Sequence, residues 1–168
     1  MLRATAAEVS DIDGKLVKLT EEMFEVMYAA PGIGLAAPQV GVGKRLFVYD
    51  LEPEDRGAPH VLVNPRIVES RGEWTYEEGC LSIPGLSWEI VRPKEVHLVG
   101  TDLDGNEVSI EADELTARLF QHELDHLDGV LMTDRMDPDT KKRALKEIRA
   151  MKERLDGETQ RTKGLRFA

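Results

Sequence analysis

The sequence predicts an α+β fold: antiparallel and mixed β-sheets packed around a central helix that carries an HExxH motif, with a further helix near the C-terminal end. Three observations predict it. Residues 44–111 are dominated by short apolar runs separated by turn residues, the pattern of a largely antiparallel sheet. From about Ala112 to Leu127 the apolar period becomes helical, with Leu115, Leu119, His122 and His126 at spacings of four, three and four. A second helix is expected from about Asp139 to near Leu155, broken by Gly157.

Taken in order, the first twenty residues are polar, and Asp13-Gly14 marks a turn. Thr20-Glu21-Glu22 reads as an N-cap and acidic first turn, so a helix is expected to start there, with Phe24, Met27 and Tyr28 as its apolar stripe and Pro31-Gly32 as its end. Gly32 to Gln39 is too rich in small residues for a plain helix or strand and reads as a loop of closely approaching backbone. Leu46 to Tyr49 is a buried-strand signal, and Glu52 to Pro59 is a charged loop. His60–Asn64 and Arg66–Ser70 are expected as two strands broken by Pro65, and Trp74–Glu77 as another. Glu95–Thr101 and Asn106–Glu111 flank Asp104-Gly105, a strong hairpin signal. Val130-Leu131-Met132 reads as a short strand after the central helix.

A length of 168 residues fits one domain, 1–168, burying roughly two thirds of the extended chain's surface on folding. The single cysteine, Cys80, cannot form an internal disulfide, and no run approaches the ~20 apolar residues that span a bilayer. A reducing cytoplasm and no membrane association are the expectation. The net charge of -10 is uneven: residues 141–168 carry 10 basic and 4 acidic side chains, and the acidic excess lies in the remainder. An acidic body argues against duplex DNA binding. The basic tail either touches an anionic surface such as RNA or forms the solvated face of a terminal helix.

The chemistry centres on His122-Glu123-Leu124-Asp125-His126. Four residues advance a helix by about one turn, so both imidazoles project to one side and can bind one metal ion, with Glu123 placed to accept a proton from water. Leu115 and Leu119 share that stripe and point it inward, where unpaired imidazoles would be costly. Cys80, in a glycine-flanked loop, is the best third ligand on chemical grounds; a buried structural cysteine is the alternative. After His126 come Leu127, Asp128 and Gly129, so no further histidine completes a metzincin-like set. His60 and His97 read as structural or exposed.

Gly32-Ile33-Gly34-Leu35-Ala36-Ala37-Pro38-Gln39, Glu78-Gly79-Cys80-Leu81-Ser82 and Gln121-His122-Glu123-Leu124-Asp125-His126-Leu127-Asp128-Gly129 resemble, in order and spacing, the three motifs of the peptide deformylases. The resemblance implies an enzyme that removes the N-formyl group from the methionine of newly made polypeptides. It implies Cys80, His122 and His126 as metal ligands and Glu123 as catalytic base, with Gln39 and the Leu81 N–H holding the formyl oxygen. The Gly32–Gly34 backbone matches an edge that pairs with substrate, and Ile33, Tyr76, Leu115, Leu119 and part of Arg118 match the methionine pocket. Glu78, counted with the substrate-binding loop, and Arg92 match a buried pair that steadies the cysteine. The implied metal is ferrous iron, with zinc, nickel or cobalt able to replace it; ligand softness alone favours zinc. The implied partners are N-formylmethionyl nascent peptides and, through the basic tail, transient contact with the ribosome.

Two departures from the family pattern are visible. The family's usual strand-like run ahead of Leu2-Arg3 is absent, which predicts an exposed sheet edge, and Ser87-Trp88 stand where many relatives carry an arginine. Two rival functions remain open at this level. A small zinc endopeptidase would cut internal peptide bonds, and a peptide-binding module with structural metal would fill the fourth metal position with a protein ligand.

Overall fold

The computed structural model describes residues 2–165, with side chains to Asp156. Helix α1 (Gly14–Ala29) begins seven residues earlier than the Thr20 signal suggests, because Asp13 Oδ1 accepts from Leu16 N at 2.9 Å and caps it. Thr20 is instead inside the helix and buried, its hydroxyl donating to Val17 O at 2.8 Å. Leu16, Thr20, Met23 and Met27 form the buried stripe.

The chain then gives β1 (Gly34–Ala36), a 3-10 turn at Ala37–Val40, β2 (Leu46–Tyr49), β3 (His60–Arg71), β4 (Trp74–Cys80), β5 (Ile83–Arg92), β6 (Glu95–Thr101) and β7 (Glu107–Asp113). Strands β1-β2-β3-β6-β7 form one sheet and β4-β5 another. These strands pair antiparallel, and an isolated bridge between Ala7 and Lys44 is parallel. Pro65 does not split β3. The register shifts between Val63 and Arg66, so the residue without an N–H sits at a bulge. Asn64 there takes φ 50°, its side chain bonding Val9 N and O at 2.8 and 2.9 Å. Part of the expected 32–39 loop is strand β1 and a 3-10 turn.

Helix α2 (Glu114–Leu127) starts two residues after Ala112, which with Asp113 still belongs to β7. The expected strand at Val130–Met132 is a turn leading into a 3-10 segment, Met132–Asp134, in which the Asp134 carboxylate accepts from Leu131 N at 3.0 Å. Helix α3 (Pro138–Leu165) continues through Gly157 instead of stopping there.

All four residues of β2 are buried, because the sheet is covered on both faces. Leu46 and Val48 pack with Leu16, Met23 and Met27 of α1. Phe47 and Tyr49 pack with Leu119, Phe120, Leu124 and Leu127 of α2. The N-terminal segment crosses this core edge: Ala6 N donates to Leu127 O and Arg45 N to Ala7 O, at 2.8 and 2.7 Å. Helix α2 is thereby held between sheet and hairpin, which fixes where its histidines point.

Candidate metal centre

Strand β4 delivers Cys80 and α2 delivers His122 and His126 to one place. Cys80 Sγ lies 3.3 Å from His126 Nε2, which lies 3.2 Å from His122 Nε2. The three ligand atoms fall within 4.8 Å of one another. His122 Nδ1 is 2.7 Å from Glu78 Oε1, so with its proton there the Nε2 presents a lone pair. Two imidazole nitrogens and a sulfur thus aim electron pairs at each other, an arrangement that a soft-to-borderline divalent cation satisfies. The donor set fits a metal ion.

Electrostatics agree. Burial opposes ionisation of Cys80, but hydrogen bonds to His122 and His126 outweigh it and lower the thiol to about 5. Burial also opposes charge on His122, and its bonds to Cys80 and Glu78 outweigh it and push the pKa up. A proton shared between thiolate and imidazole occupies the electron pairs that a cation would use.

Glu78 is buried and fully engaged. It accepts from Arg92 Nε and Nη2 at 2.8 and 2.7 Å and from Arg118 Nη1 at 2.8 Å, besides His122. Burial opposes its ionisation, yet Arg92 and His122 hold it well below the usual carboxylate range. Both oxygens of Glu78 are engaged by protein partners, one of them His122 Nδ1, and the residue also lines the adjoining cleft. Arg92 lies beside Glu78.

Glu123 has the opposite setting. It is 4 % exposed, its Oε2 has no hydrogen-bond partner, and burial raises it to about 7 against the pull of His122 and His126. Its Oε1 lies 2.7 Å from where a Cβ on Gly34 would stand, so the absent side chain at Gly34 makes room for it.

These groups open onto a cleft of about 760 Å³ between β1 and the β4-β5 hairpin. Ile33, Tyr76, Leu115 and Leu119 give it an apolar wall. Leu115, expected on an inward stripe, is 45 % exposed at the cleft mouth, as is Tyr76. The Arg118 guanidinium lies 5.1 Å from the Trp74 ring centroid and also donates to Trp74 O at 2.6 Å. Gln39 Oε1 accepts from Ala36 N at 2.8 Å, which turns Nε2 toward Ser82 Oγ at 3.1 Å and Cys80 Sγ at 3.7 Å. The Leu81 side chain packs where a Cβ on Gly32 would clash, at 2.6 Å. Ser87 lines the cleft and donates to Glu77, whereas Trp88 donates to Glu147 of α3 at 3.0 Å.

Sequence reasoning missed Ser82, Trp74 and Asp125. Asp125, buried inside the HExxH turn, accepts from Arg92 Nη1 at 2.8 Å and from Arg135. An acidic residue on a helix stripe that turns inward was the available signal.

In chemical terms this is the equipment of a metal-dependent hydrolase, with a polarisable ion site beside a carboxylate able to move protons. A family model described as polypeptide deformylase matches residues 1–142. A peptide deformylase of Thermodesulfovibrio yellowstonii is 50% identical over 139 residues, covering 82% of this chain and 84% of that one. A crystal structure of a peptide deformylase from Legionella pneumophila superposes with TM-score 0.87 at 41% identity, covering 93% of this chain and 91% of that one. Another, from Synechococcus elongatus in complex with actinonin, gives TM-score 0.80 at 46% identity over 83% and 77%. The chain belongs to the polypeptide deformylase family, metal-dependent hydrolases that remove the N-formyl group from the N-terminal methionine of newly made polypeptides.

Proposed function

We propose that residues 1–168 act as a single catalytic domain in which Cys80, His122 and His126 hold one divalent ion, ferrous iron in the cell, and Glu123 moves the protons of deformylation. The observation that carries this reading is the convergence of the three ligand atoms beside a buried carboxylate with a free oxygen. When bound, the ion would acidify a water molecule and polarise the formyl oxygen.

Strands β1 and β4 are terminal in their sheets, and Gly32–Gly34 and Tyr76–Cys80 line the same cleft, so an extended peptide can lie between two strand edges. The methionine side chain would enter the wall made by Ile33, Tyr76, Leu115, Leu119 and the stem of Arg118. Gln39 Nε2 and the Leu81 N–H would donate to the formyl oxygen as charge develops; one such donor is worth about 3 kcal/mol. Glu123 takes the proton of the attacking water and returns it to the departing amine, giving formate and a free methionine N-terminus. Tyr76, Leu115 and an apolar cleft exposed to solvent make sense as a surface that substrate covers.

The protein would work in the cytoplasm on nascent chains, with the Lys141–Arg154 face of α3 near ribosomal RNA; Arg161, Lys163 and Arg166 of the basic tail lie outside the residues whose side chains are described. No described helix is long and apolar enough to cross a membrane. The decisive experiment is formate release from a formyl-methionyl peptide after anaerobic loading with iron and, separately, zinc. Formate release with both metals, faster with iron, is expected; cleavage of internal peptide bonds without formate would overturn the reading.

A further inference from the structure

His122 is the inner end of a chain of charged hydrogen bonds that reaches the surface on the far side of α2. Glu78 Oε1 accepts from both His122 Nδ1 and Arg92 Nη2, at 2.7 Å each. Arg92 Nη1 donates to Asp125 Oδ2 at 2.8 Å, and Asp125 accepts in turn from Arg135 Nε at 3.0 Å and, on its other oxygen, from Arg135 Nη2. Side-chain exposure is 5% for Glu78, 3% for Arg92 and 8% for Asp125, but 47% for Arg135. Arg135 stands at the mouth of a second cavity of about 360 Å³, lined also by Arg45, Arg66 and Asp128.

We propose that Arg135 is a positioning residue for the metal centre: by holding both oxygens of Asp125 from outside, it fixes Arg92 and, through Glu78, the ring of His122. The inference rests on the reading of His122 as a metal ligand.

The geometry gives the direction of the effect. Without Arg135, Asp125 Oδ1 loses the partner the structure gives it, on a residue that is only 5% exposed, and a carboxylate oxygen left without its partner is costly. The nearest remedy is rotation of Asp125 toward the Arg92 fork, which competes for the Nη2 that Glu78 Oε1 now uses. That oxygen is the one that bonds His122 Nδ1. Loss of a partner that orients a metal-bound histidine typically weakens metal affinity about 10–100-fold, and Arg135 acts three residues further out than Glu78, so a smaller effect of about 3–10-fold is expected.

A merely local role is the alternative, since Arg135 also anchors the 3-10 segment that leads into α3. Arg3 anchors the same segment through Asp134, without touching Asp125. The test measures transfer of zinc from the loaded protein to a chromogenic chelator for wild type, Arg135→Ala, Arg135→Lys and Arg3→Ala, with thermal melting of each. Faster release in Arg135→Ala, partial recovery in Arg135→Lys, and wild-type release in Arg3→Ala are expected. Michaelis constants should stay near wild type while turnover falls. Equal release in Arg135→Ala and wild type, or the same acceleration in Arg3→Ala, would overturn the proposal. If Arg135→Ala melts much earlier, the Arg135→Lys release rate decides by the same criterion. Failure of the metal reading itself looks different: wild type would carry no stoichiometric zinc, or His126→Ala would hold it equally well.

Discussion

Glu78, at the end of β4, and Glu123, on the second residue of the HExxH turn, are buried carboxylates on either side of His122, and their surroundings send them in opposite directions. Glu78 receives two arginine side chains and an imidazole, and is held ionised. Glu123 sits against β1 with one oxygen bare, and burial moves it into the range where a proton can be taken and returned near neutral pH. Burial alone therefore assigns no role to a carboxylate; the number of cationic donors facing it does. One becomes a fixed strut, the other a group with work left to do.

The strongest way to break this comparison is Glu123→Ala. It should keep its metal and lose about 10²–10⁴-fold in single-turnover formate release, toward the upper end because the proposed mechanism routes two proton transfers through this one group. Retained metal with near-normal turnover would remove the contrast. Glu78→Ala should act on stability first. It strands Arg92 and Arg118 in the interior, and breaking a buried pair costs about 3–5 kcal/mol, readable as a drop in urea midpoint of the metal-free protein. A midpoint within error of wild type would mean that the strut carries no load.

The two carboxylates were not equally legible in the sequence. Glu123 is tied to its histidines by a local motif, so helical spacing alone puts it beside them, and α2, the β6-β7 hairpin and the exposed C-terminal helix were legible for the same reason: their signals are short-range. Glu78 depends on Arg92, Arg118 and His122, which lie 14, 40 and 44 positions away. No local pattern carries those contacts, and only the family motif hinted at one of them. The errors follow the same logic. Asp13 outcompeted Thr20 as a cap because burial of Leu16 and Thr20 extends the helix backwards. Pro65 survived within β3 because Asn64, bonded to Val9, could support a bulge. Strand β5 has Pro84 and Gly85 near its start and shows its character only through its register with β4.

Gly34→Ala sharpens the comparison without replacing either carboxylate. The new Cβ would meet Glu123 Oε1 at 2.7 Å, the movable end of a side chain, so the fold should survive while the Glu123 carboxylate, the proposed base, is displaced. Misplacement by about 1 Å can cost up to 10²-fold, and a turnover loss of roughly 10–100-fold is expected with little change in melting temperature. Gly129→Ala provides the contrast: φ is 70° and the contact, 2.8 Å, is with Arg3 backbone, so there the melting temperature should fall. If Gly34→Ala instead melts early and turns over normally when folded, the glycine serves packing and not the base.

The smallest effect expected concerns a third carboxylate, Asp134, which resembles Glu78 in having more than one cationic partner but lies near the surface. It accepts from Arg3 and, at 2.9 Å, from Lys141 Nζ, joining the N-terminal segment to α3. The Arg3 hydrogen bond is the main cause of a pKa held well below the usual aspartate value, with partial burial opposing and Lys141 and Leu131 N assisting. A carboxylate whose folded pKa is depressed binds fewer protons folded than unfolded. Its contribution is therefore complete above the unfolded value, near 4, and is lost as pH falls toward the folded one. Exposed pairs contribute about 1 kcal/mol or less, so the gap between wild type and Asp134→Asn should be modest at neutral pH and should close on acidification below pH 4. Melting temperatures of both proteins between pH 6 and pH 3, compared as a difference, isolate this residue from Glu78, which titrates in both. A difference that stays constant through that range would show that the link between the N-terminal segment and α3 is steric, and that cationic partners depress a carboxylate's pKa to structural effect only where water is excluded.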